Sequence, residues 1–338
     1  MRGRATIKDV AERAGCSVST VSRALNGTGR IGEEMRSRVR DAAEALSFSF
    51  DAIGRSLQSQ KSFTIGALIP TLSNPVFAEA IDGLQSICQQ EHYQLLVACS
   101  RYEPDEEAKA VATLLAHRID GLILTVSNAQ DSPAITTALK AGVPFVLIFN
   151  HPDRALPAVA FNNHAAAQEV AQAMLDLGHR DVGFVAGRFR GSDRSKQRYA
   201  GFRQRYLAAG APSPALLEVG YETASYRGEL SALLQDRPGL TALFCSNDLL
   251  ALRITADLKR LQIGVPDDIS VVGFDGLDIG TLVDPGLATV ATDCARMGAE
   301  AAERLIGAIH NNHRASDHIS LLPHEFRPGP SLARVRSG

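Results

Sequence analysis

The chain has 338 residues, 45% of them apolar and 21% charged, with a formal net charge of −2 and five cysteines. That length allows two or three domains with a substantial core, and the balance of apolar and charged residues excludes a disordered or fibrous chain. The cysteines (Cys16, Cys88, Cys99, Cys245, Cys294) are scattered without a Cys-x-x-Cys pair, against both a disulfide framework and a thiolate zinc site.

No apolar run follows Met1 to Thr6, so no secretory signal peptide is expected. The run Phe145-Val146-Leu147-Ile148-Phe149 is too short to cross a bilayer. The expected compartment is therefore the cytoplasm. The small net charge hides an asymmetry. Residues 1–61 carry 11 Lys/Arg and 7 Asp/Glu, a net of +4, and the remainder carries a net of −6. A basic front on an acidic body suits a small nucleic-acid-binding head.

The first elements are two short helices around a tight turn. Val10, Ala11 and Ala14 give the first helix an apolar side, and Gly15 relaxes the corner. Ser17 is a good N-cap for a second helix, on which Val21, Ala24 and Leu25 share one face at helical spacing. This is the pattern of a helix-turn-helix, whose second helix enters the DNA major groove. A turn-rich stretch, Asn26 to Gly32, leads to a third helix over 33–46, with Glu33 and Glu34 in its first turn and an apolar stripe of Met35, Val39, Ala42, Ala43 and Leu46.

Side chains at the exposed start of the second helix face the groove. Val18, Ser19 and Arg23 hold those positions. Arg23 suits bidentate bonding to guanine, and Val18 offers apolar contact, for example to a thymine methyl. Thr6, Ser17, Thr20, Ser22 and Asn26 are short polar groups suited to phosphate contacts, which fix register rather than sequence. For Thr20 and Ser22 capping within the helix is the competing role.

A polar link over 49–61 joins this head to a body of alternating apolar runs and amphipathic segments. Strands are predicted at 64–69, 95–98, 122–126, 145–148, 182–186, 242–245 and 270–274. Helices are predicted at 76–92, 105–117, 134–141, 165–177, 198–209, 225–235, 249–261 and 296–309. Strand–helix alternation at this spacing gives parallel sheets covered on both faces. Ligands then bind at the carboxyl ends of strands. Ser73 and Asn74 follow the first of these strands, Asn247 and Asp248 follow the strand ending at Cys245, and Asp275 ends the strand 270–274. Asp248 is expected to be the N-cap of its helix, and Arg198 to begin the helix after the loop 187–195.

The run Thr6 to Gly27 resembles the headpiece of the lactose-repressor (LacI/GalR) family in the phrase T-I-x-D-V-A-x-x-A-G-x-S-x-S-T-V-S-R-x-L-N-G. The resemblance continues through Ser73-Asn74-Pro75, Arg118-Ile119-Asp120-Gly121, Leu177-Gly178-His179-Arg180, Ser246-Asn247-Asp248 and Val265-Pro266-Asp267-Asp268-Ile269-Ser270. It implies an all-α helix-turn-helix headpiece with a hinge, and an α/β periplasmic-binding-protein-like body of two Rossmann-like lobes. The implied domains are a DNA-binding domain at 1–48, a hinge at 49–61 and an effector-binding and dimerisation domain at 62–338. Three crossings between lobes would divide the last into 62–161 with 292–321, and 162–291 with 322–338.

The resemblance also implies that Leu57 wedges into the operator minor groove from the hinge, which departs from the family pattern by lacking its proline and carrying Gly54. It further implies that Phe77 stacks on an effector and that Arg198, Asn247 and Asp275 hydrogen-bond it. The implied function is a regulator, most simply a repressor, acting on palindromic operator DNA as a homodimer and controlled by a sugar, sugar acid or sugar phosphate. A corepressor mode sensing a nucleobase or other metabolite is the alternative, and a solute-binding protein a remote one. Asn162-Asn163 replaces an Asp-Asn pair, and Arg188, Arg190 and Arg194 crowd the loop after 187; if these arginines line the cleft, an acidic ligand follows. No Gly-x-Gly-x-x-Gly after a strand, phosphate loop, His-Glu-x-x-His or Gly-x-Ser-x-Gly occurs, so no enzyme, cofactor or metal is expected.

Overall fold

The computed structural model describes residues 5–26, 29–46, 48, 61–220, 225–311 and 315–336. The chain separates into a small unit, Met1–Phe63, and a large one, Thr64–Gly338.

Three helices make the small unit: α1 (Ile7–Ala14), α2 (Val18–Asn26) and α3 (Glu33–Ala45). A reciprocal capping box starts α1. The Asp9 N–H donates to Thr6 Oγ1 (3.4 Å), and the Thr6 N–H donates to the Asp9 carboxylate (2.7 Å). That N–H holds the Asp9 carboxyl below its ordinary pKa. Gly15 ends α1 at φ +63°, a left-handed corner that favours glycine. From α3, Arg38 Nη2 donates to the Ala14 carbonyl beside it (2.8 Å). Ser17 caps α2 by accepting the Thr20 N–H (3.1 Å). Val10, Ala11, Ala14, Val21, Ala24, Val39, Ala42 and Ala43 form the shared core, so each helix contributes the apolar face its spacing predicts.

The large unit holds two parallel sheets. In the first lobe, β1 (Thr64–Ile69), β2 (Gln94–Cys99), β3 (Gly121–Leu124), β4 (Phe145–Ile148), β5 (Ala158–Phe161) and β11 (Ile319–Leu322) run in the order β11-β5-β4-β3-β1-β2. Leu122, Leu124 and Leu147 pack on α5 (Pro104–Ala116) and α6 (Pro133–Ala141). The opposite face carries α4 (Pro75–Gln90) and α11 (Cys294–His310). Those two helices meet backbone to backbone. A β-carbon at Gly83 would lie 1.9 Å from the Ala295 carbonyl oxygen, and one at Gly298 would lie 1.8 Å from that of Ala80.

In the second lobe, β6 (Val182–Gly187), β7 (Ala215–Val219), β8 (Ala242–Cys245) and β9 (Ser270–Val272) run in the order β7-β6-β8-β9. Period-2 alternation sorts their side chains. Phe184, Ala242, Phe244 and Val272 face α7 (Asn163–Asp176) and α8 (Asp193–Ala208). Val185, Leu243, Cys245 and Val271 face α9 (Arg227–Asp236) and α10 (Asp248–Arg260). The antiparallel pair β10 (Thr289–Thr292) and β12 (His324–Arg327) completes the strands. His179 is buried against the Ala333 carbonyl (2.8 Å) and Thr241 Oγ1 (2.9 Å), fastening the C-terminal segment; burial lowers its pKa.

Three local expectations are corrected. The helix holding Arg198 begins at Asp193, because Ser192 Oγ accepts the Ser195 N–H (3.3 Å) and caps it, which leaves Arg198 inside the helix. Asn247, not Asp248, is the N-cap of α10, its Oδ1 accepting the Leu250 N–H (2.8 Å). The strand predicted over 270–274 ends at Val272, so Asp275 lies beyond it.

Candidate functional site

On α2, Val18, Ser19 and Arg23 are exposed, whereas Val21 and Ala24 are buried. The helix therefore presents the residues expected to read bases. Arg23 Nε donates to the Ser19 carbonyl (3.1 Å), bracing the side chain along the exposed face. Ser17 Oγ lies 2.8 Å from both Ser19 Oγ and Thr20 Oγ1, so these hydroxyls organise the helix start. Thr6 is occupied in the capping box and Ser22 is half-buried. Asn26 closes α2; its side chain and the whole of Leu57 lie outside the described residues.

A cavity of about 390 Å³ opens between the two lobes. Thr71, Ser73, Asn74, Arg101 and Tyr102 line it from the first lobe. From the second lobe come Tyr226, Asn247, Leu249, Leu250 and Arg253. Of the six effector residues expected, Ser73, Asn74 and Asn247 line this space.

The other three form its buried support. Phe77 packs edge-on against Tyr102 (centroids 6.3 Å apart) and Phe149 (5.0 Å). Arg198 lies over the Phe274 ring at 3.5 Å, donates from Nε to Asn163 Oδ1 (2.8 Å) and from Nη1 to the Ser246 carbonyl, and sits 3.9 Å from Asp275 Oδ1. Burial raises the Asp275 carboxyl well above the ordinary range, against the opposing pull of Arg198. The Asp275 backbone stands at φ +124°, a conformation costing on the order of 1–3 kcal/mol where the surroundings impose it. Here its N–H donates to the Val290 carbonyl (2.8 Å), and its carbonyl accepts from Thr292 N (3.2 Å) and Oγ1 (3.1 Å). Asp248 is a brace rather than a lining group: it accepts from Thr289 Oγ1 (2.6 Å), Gly276 N (2.9 Å) and Leu277 N (2.8 Å).

A polar seam closes the lobes beside the cavity. Asp193 N donates to the Ser127 carbonyl (2.7 Å), and the Asp193 carboxylate accepts from Ala129 N (3.0 Å) and Asn150 Nδ2 (2.9 Å). Arg194 Nη1 donates to the Val126 carbonyl (2.7 Å), and Arg190 pairs with Glu103 (2.6 Å). Arg190 and Arg194 thus serve the seam. Arg188 is exposed and is not among the described lining residues, so the arginines at the cavity are Arg101 and Arg253 instead.

Sequence reasoning missed Thr71, Arg101, Tyr102, Tyr226 and Arg253. Arg101 and Tyr102 enter through two successive positive-φ residues (55° and 61°) that no glycine announces. Arg253 reads in sequence as an ordinary surface charge. Among the described residues there is no group of three or more His, Cys, Asp or Glu able to hold a metal, and no helix long and apolar enough to cross a membrane.

Comparison with known proteins places both parts. Residues 6–50 match the lacI family of bacterial regulatory proteins, and residues 148–332 match the periplasmic binding protein-like domain. The HTH-type transcriptional regulator GntR of Escherichia coli K12 is 33% identical over 312 residues, covering 90% of this chain and 92% of its own. The chain belongs to the lacI family. A LacI-family regulator from Silicibacter pomeroyi superposes on it with a TM-score of 0.85 at 27% identity, covering 98% of this chain and 100% of its own. The lac repressor dimer bound to operator and the anti-inducer ONPF superposes at 0.86, with the same coverages; at 23% identity it supports the fold alone. As a lacI-family member the chain is a DNA-binding transcriptional regulator, with a helix-turn-helix head and an α/β periplasmic-binding-protein-like body.

Proposed function

We propose that this regulator is a cytoplasmic repressor that binds a palindromic operator as a homodimer and responds to a small polyhydroxylated molecule held between its lobes. The observation that carries the reading is the interlobe cavity of about 390 Å³, within the usual range for small-ligand sites, on the same chain as a DNA-reading head. Hydroxyl and amide groups from Ser73, Asn74 and Asn247 suit a ligand rich in hydroxyls, with Phe77 and the Arg198–Asp275 pair setting the wall behind them.

Within this reading the domains are 1–48, a hinge at 49–61 and 62–338, and Leu57 is the minor-groove wedge. Thr6, Ser17, Thr20, Ser22 and Asn26 hold phosphates, and Val18, Ser19 and Arg23 read bases. One small head reads few base pairs, which favours paired heads on a two-fold site. The body offers apolar surface for pairing: β2 is an edge strand with Leu96 and Val97 exposed, and Leu282, elsewhere on the body, is 82% exposed. Effector binding shifts the lobes, and a coupling of roughly 1–3 kcal/mol changes operator affinity by 5- to 150-fold. The work is binding rather than catalysis.

Selection of the full-length chain on random duplex DNA tests the reading. The expected winner is a two-fold symmetric sequence bound by two copies. An asymmetric winner bound by one copy would contradict it.

A further inference from the structure

Two carboxyl groups and one guanidinium meet where the lobes touch, and they are not equally provided for. Asp193 and Arg194 belong to the second lobe, at the start of α8. Glu107 belongs to the first lobe, on α5, and is 2% exposed. Between them runs the segment 126–129, which follows β3.

The second lobe holds this segment through its backbone. Asp193 N donates to the Ser127 carbonyl (2.7 Å), Ala129 N donates to the Asp193 carboxylate (3.0 Å), and Arg194 Nη1 donates to the Val126 carbonyl (2.7 Å). Glu107 holds it from within the first lobe, Oε1 accepting the Ser127 N–H (2.6 Å). Ser127 is thus tied to Glu107 through its N–H and to Asp193 through its carbonyl.

Asp193 has the means to stay charged. Besides Ala129 N, its carboxylate accepts from Asn150 Nδ2 (2.9 Å) and pairs with Arg194 Nη1 (3.3 Å). Glu107 does not. Its Oε2 is buried without a hydrogen-bond partner among the described residues, and so is Arg194 Nη2. An ionised carboxylate with one hydrogen bond in such a place is costly, so the neutral acid is favoured. From outside α5 the charges acting on Glu107 are Arg194, which favours ionisation, and Asp193, which opposes it; burial outweighs them. Arg154 donates from Nη2 to the Ala129 carbonyl (3.3 Å). Around α5, Glu106 pairs with Lys109 (2.8 Å) and Glu103 with Arg190 (2.6 Å), all four exposed.

We propose that this seam is a proton-linked latch: the lobes are held together while Glu107 is neutral, and ionisation of Glu107 releases the segment 126–129 from Asp193 and Arg194. Parting the lobes lets water reach Glu107, whose carboxyl then returns toward its ordinary 4.5, against about 7 in the closed seam. The closed seam therefore holds the proton more tightly than the open one. Its advantage is complete below pH 4.5 and is lost as pH rises through about 7. For one proton the closing equilibrium changes by at most about tenfold per pH unit. With an effector held between these lobes, its affinity becomes coupled to pH near neutrality, whatever its chemistry; that consequence alone rests on the function proposed above.

The test needs neither effector nor DNA, so its failure leaves that function untouched. The chain has no tryptophan, which makes an introduced one a single reporter. Tyr102 is half-buried in the first lobe, and Gly191 of the second approaches it so closely that a β-carbon there would lie 2.8 Å from the Tyr102 carbonyl oxygen. Tyr102→Trp in the full-length chain should shift its emission to the red and become more accessible to acrylamide as pH rises from 5 to 8, with the far-ultraviolet circular dichroism unchanged. Glu107→Gln in the same background keeps an oxygen for the Ser127 N–H but cannot ionise. Its emission and quenching should stay at the low-pH values throughout, which separates Glu107 from the histidines that titrate in this range. Glu107→Met supplies a second uncharged side chain of similar length should the amide disturb the seam.

A reporter signal constant from pH 5 to 8 would overturn the latch. So would the same change in both uncharged variants, or a change accompanied by loss of circular dichroism, which is unfolding rather than parting of the lobes. A blue shift with rising pH would reverse it, with ionised Glu107 drawing Arg194 in and tightening the seam.

Discussion

Arg23 shows how a single side chain divides its duties. Nε is committed to the Ser19 carbonyl, bracing the side chain on the outer face of α2, and a bidentate pair with guanine would use the terminal Nη groups. Arg23→Ala should cost about 1–3 kcal/mol at one position of each half-site and relax the preference there. Binding to non-specific DNA should keep a similar salt slope, because phosphate contacts set that term. Affinities measured across single-base operator variants check this; a uniform loss at every position would instead make Arg23 a phosphate contact. At this scale the head was legible in the sequence. Within each short helix the core residues recur at helical spacing, so spacing alone sorted Val21 and Ala24 inward and Val18 and Arg23 outward. Arg101 was not legible, because its placement depends on backbone conformations that Ser100-Arg101-Tyr102 does not advertise.

At the level of elements, strands with continuous apolar runs, such as β1, β4 and β8, stood where the sequence placed them. The strands left out were short pieces at sheet edges or in the added pair: β7, β10, β11 and β12, together with β5. They carry four or five residues each and owe their existence to partners distant in sequence. The first turn of α8 was missed for a related reason: Asp193, Arg194 and Ser195 read as loop, and the seam with Val126, Ser127 and Asn150 is what gives Asp193 and Arg194 their partners.

That seam makes its own prediction. Glu107 on α5 is buried, with Oε1 accepting the Ser127 N–H (2.6 Å) and Asp193 and Arg194 acting on its charge. Burial pushes its carboxyl up from 4.5 to about 7. The folded chain therefore holds the proton more tightly than the unfolded chain between these values, so stability falls as pH rises through that window. The slope is at most ~1.4 kcal/mol per pH unit for one proton. Urea unfolding at pH 5 and pH 8 should show Glu107→Gln losing less stability than the parent chain on going to the higher pH. Identical losses in the two proteins would contradict the assignment.

Across the whole molecule, the body is two parallel sheets whose facing helix ends and loops enclose a charged, polar cavity, and the head is a separate three-helix unit with its own core. The sequence disclosed the parts, and the cavity arises only where the lobes meet, which is why Tyr226 and Arg253 joined it unannounced. Ligand in the cavity is expected to change what the head does. The direct measurement is the affinity of the full-length regulator for its selected operator, by fluorescence anisotropy, with and without a saturating cavity ligand identified by calorimetry. A change of about fivefold or more is expected, abolished in variants of the lining residues Arg101 or Arg253 that no longer bind the ligand. Saturation of the cavity with operator affinity unchanged would contradict it.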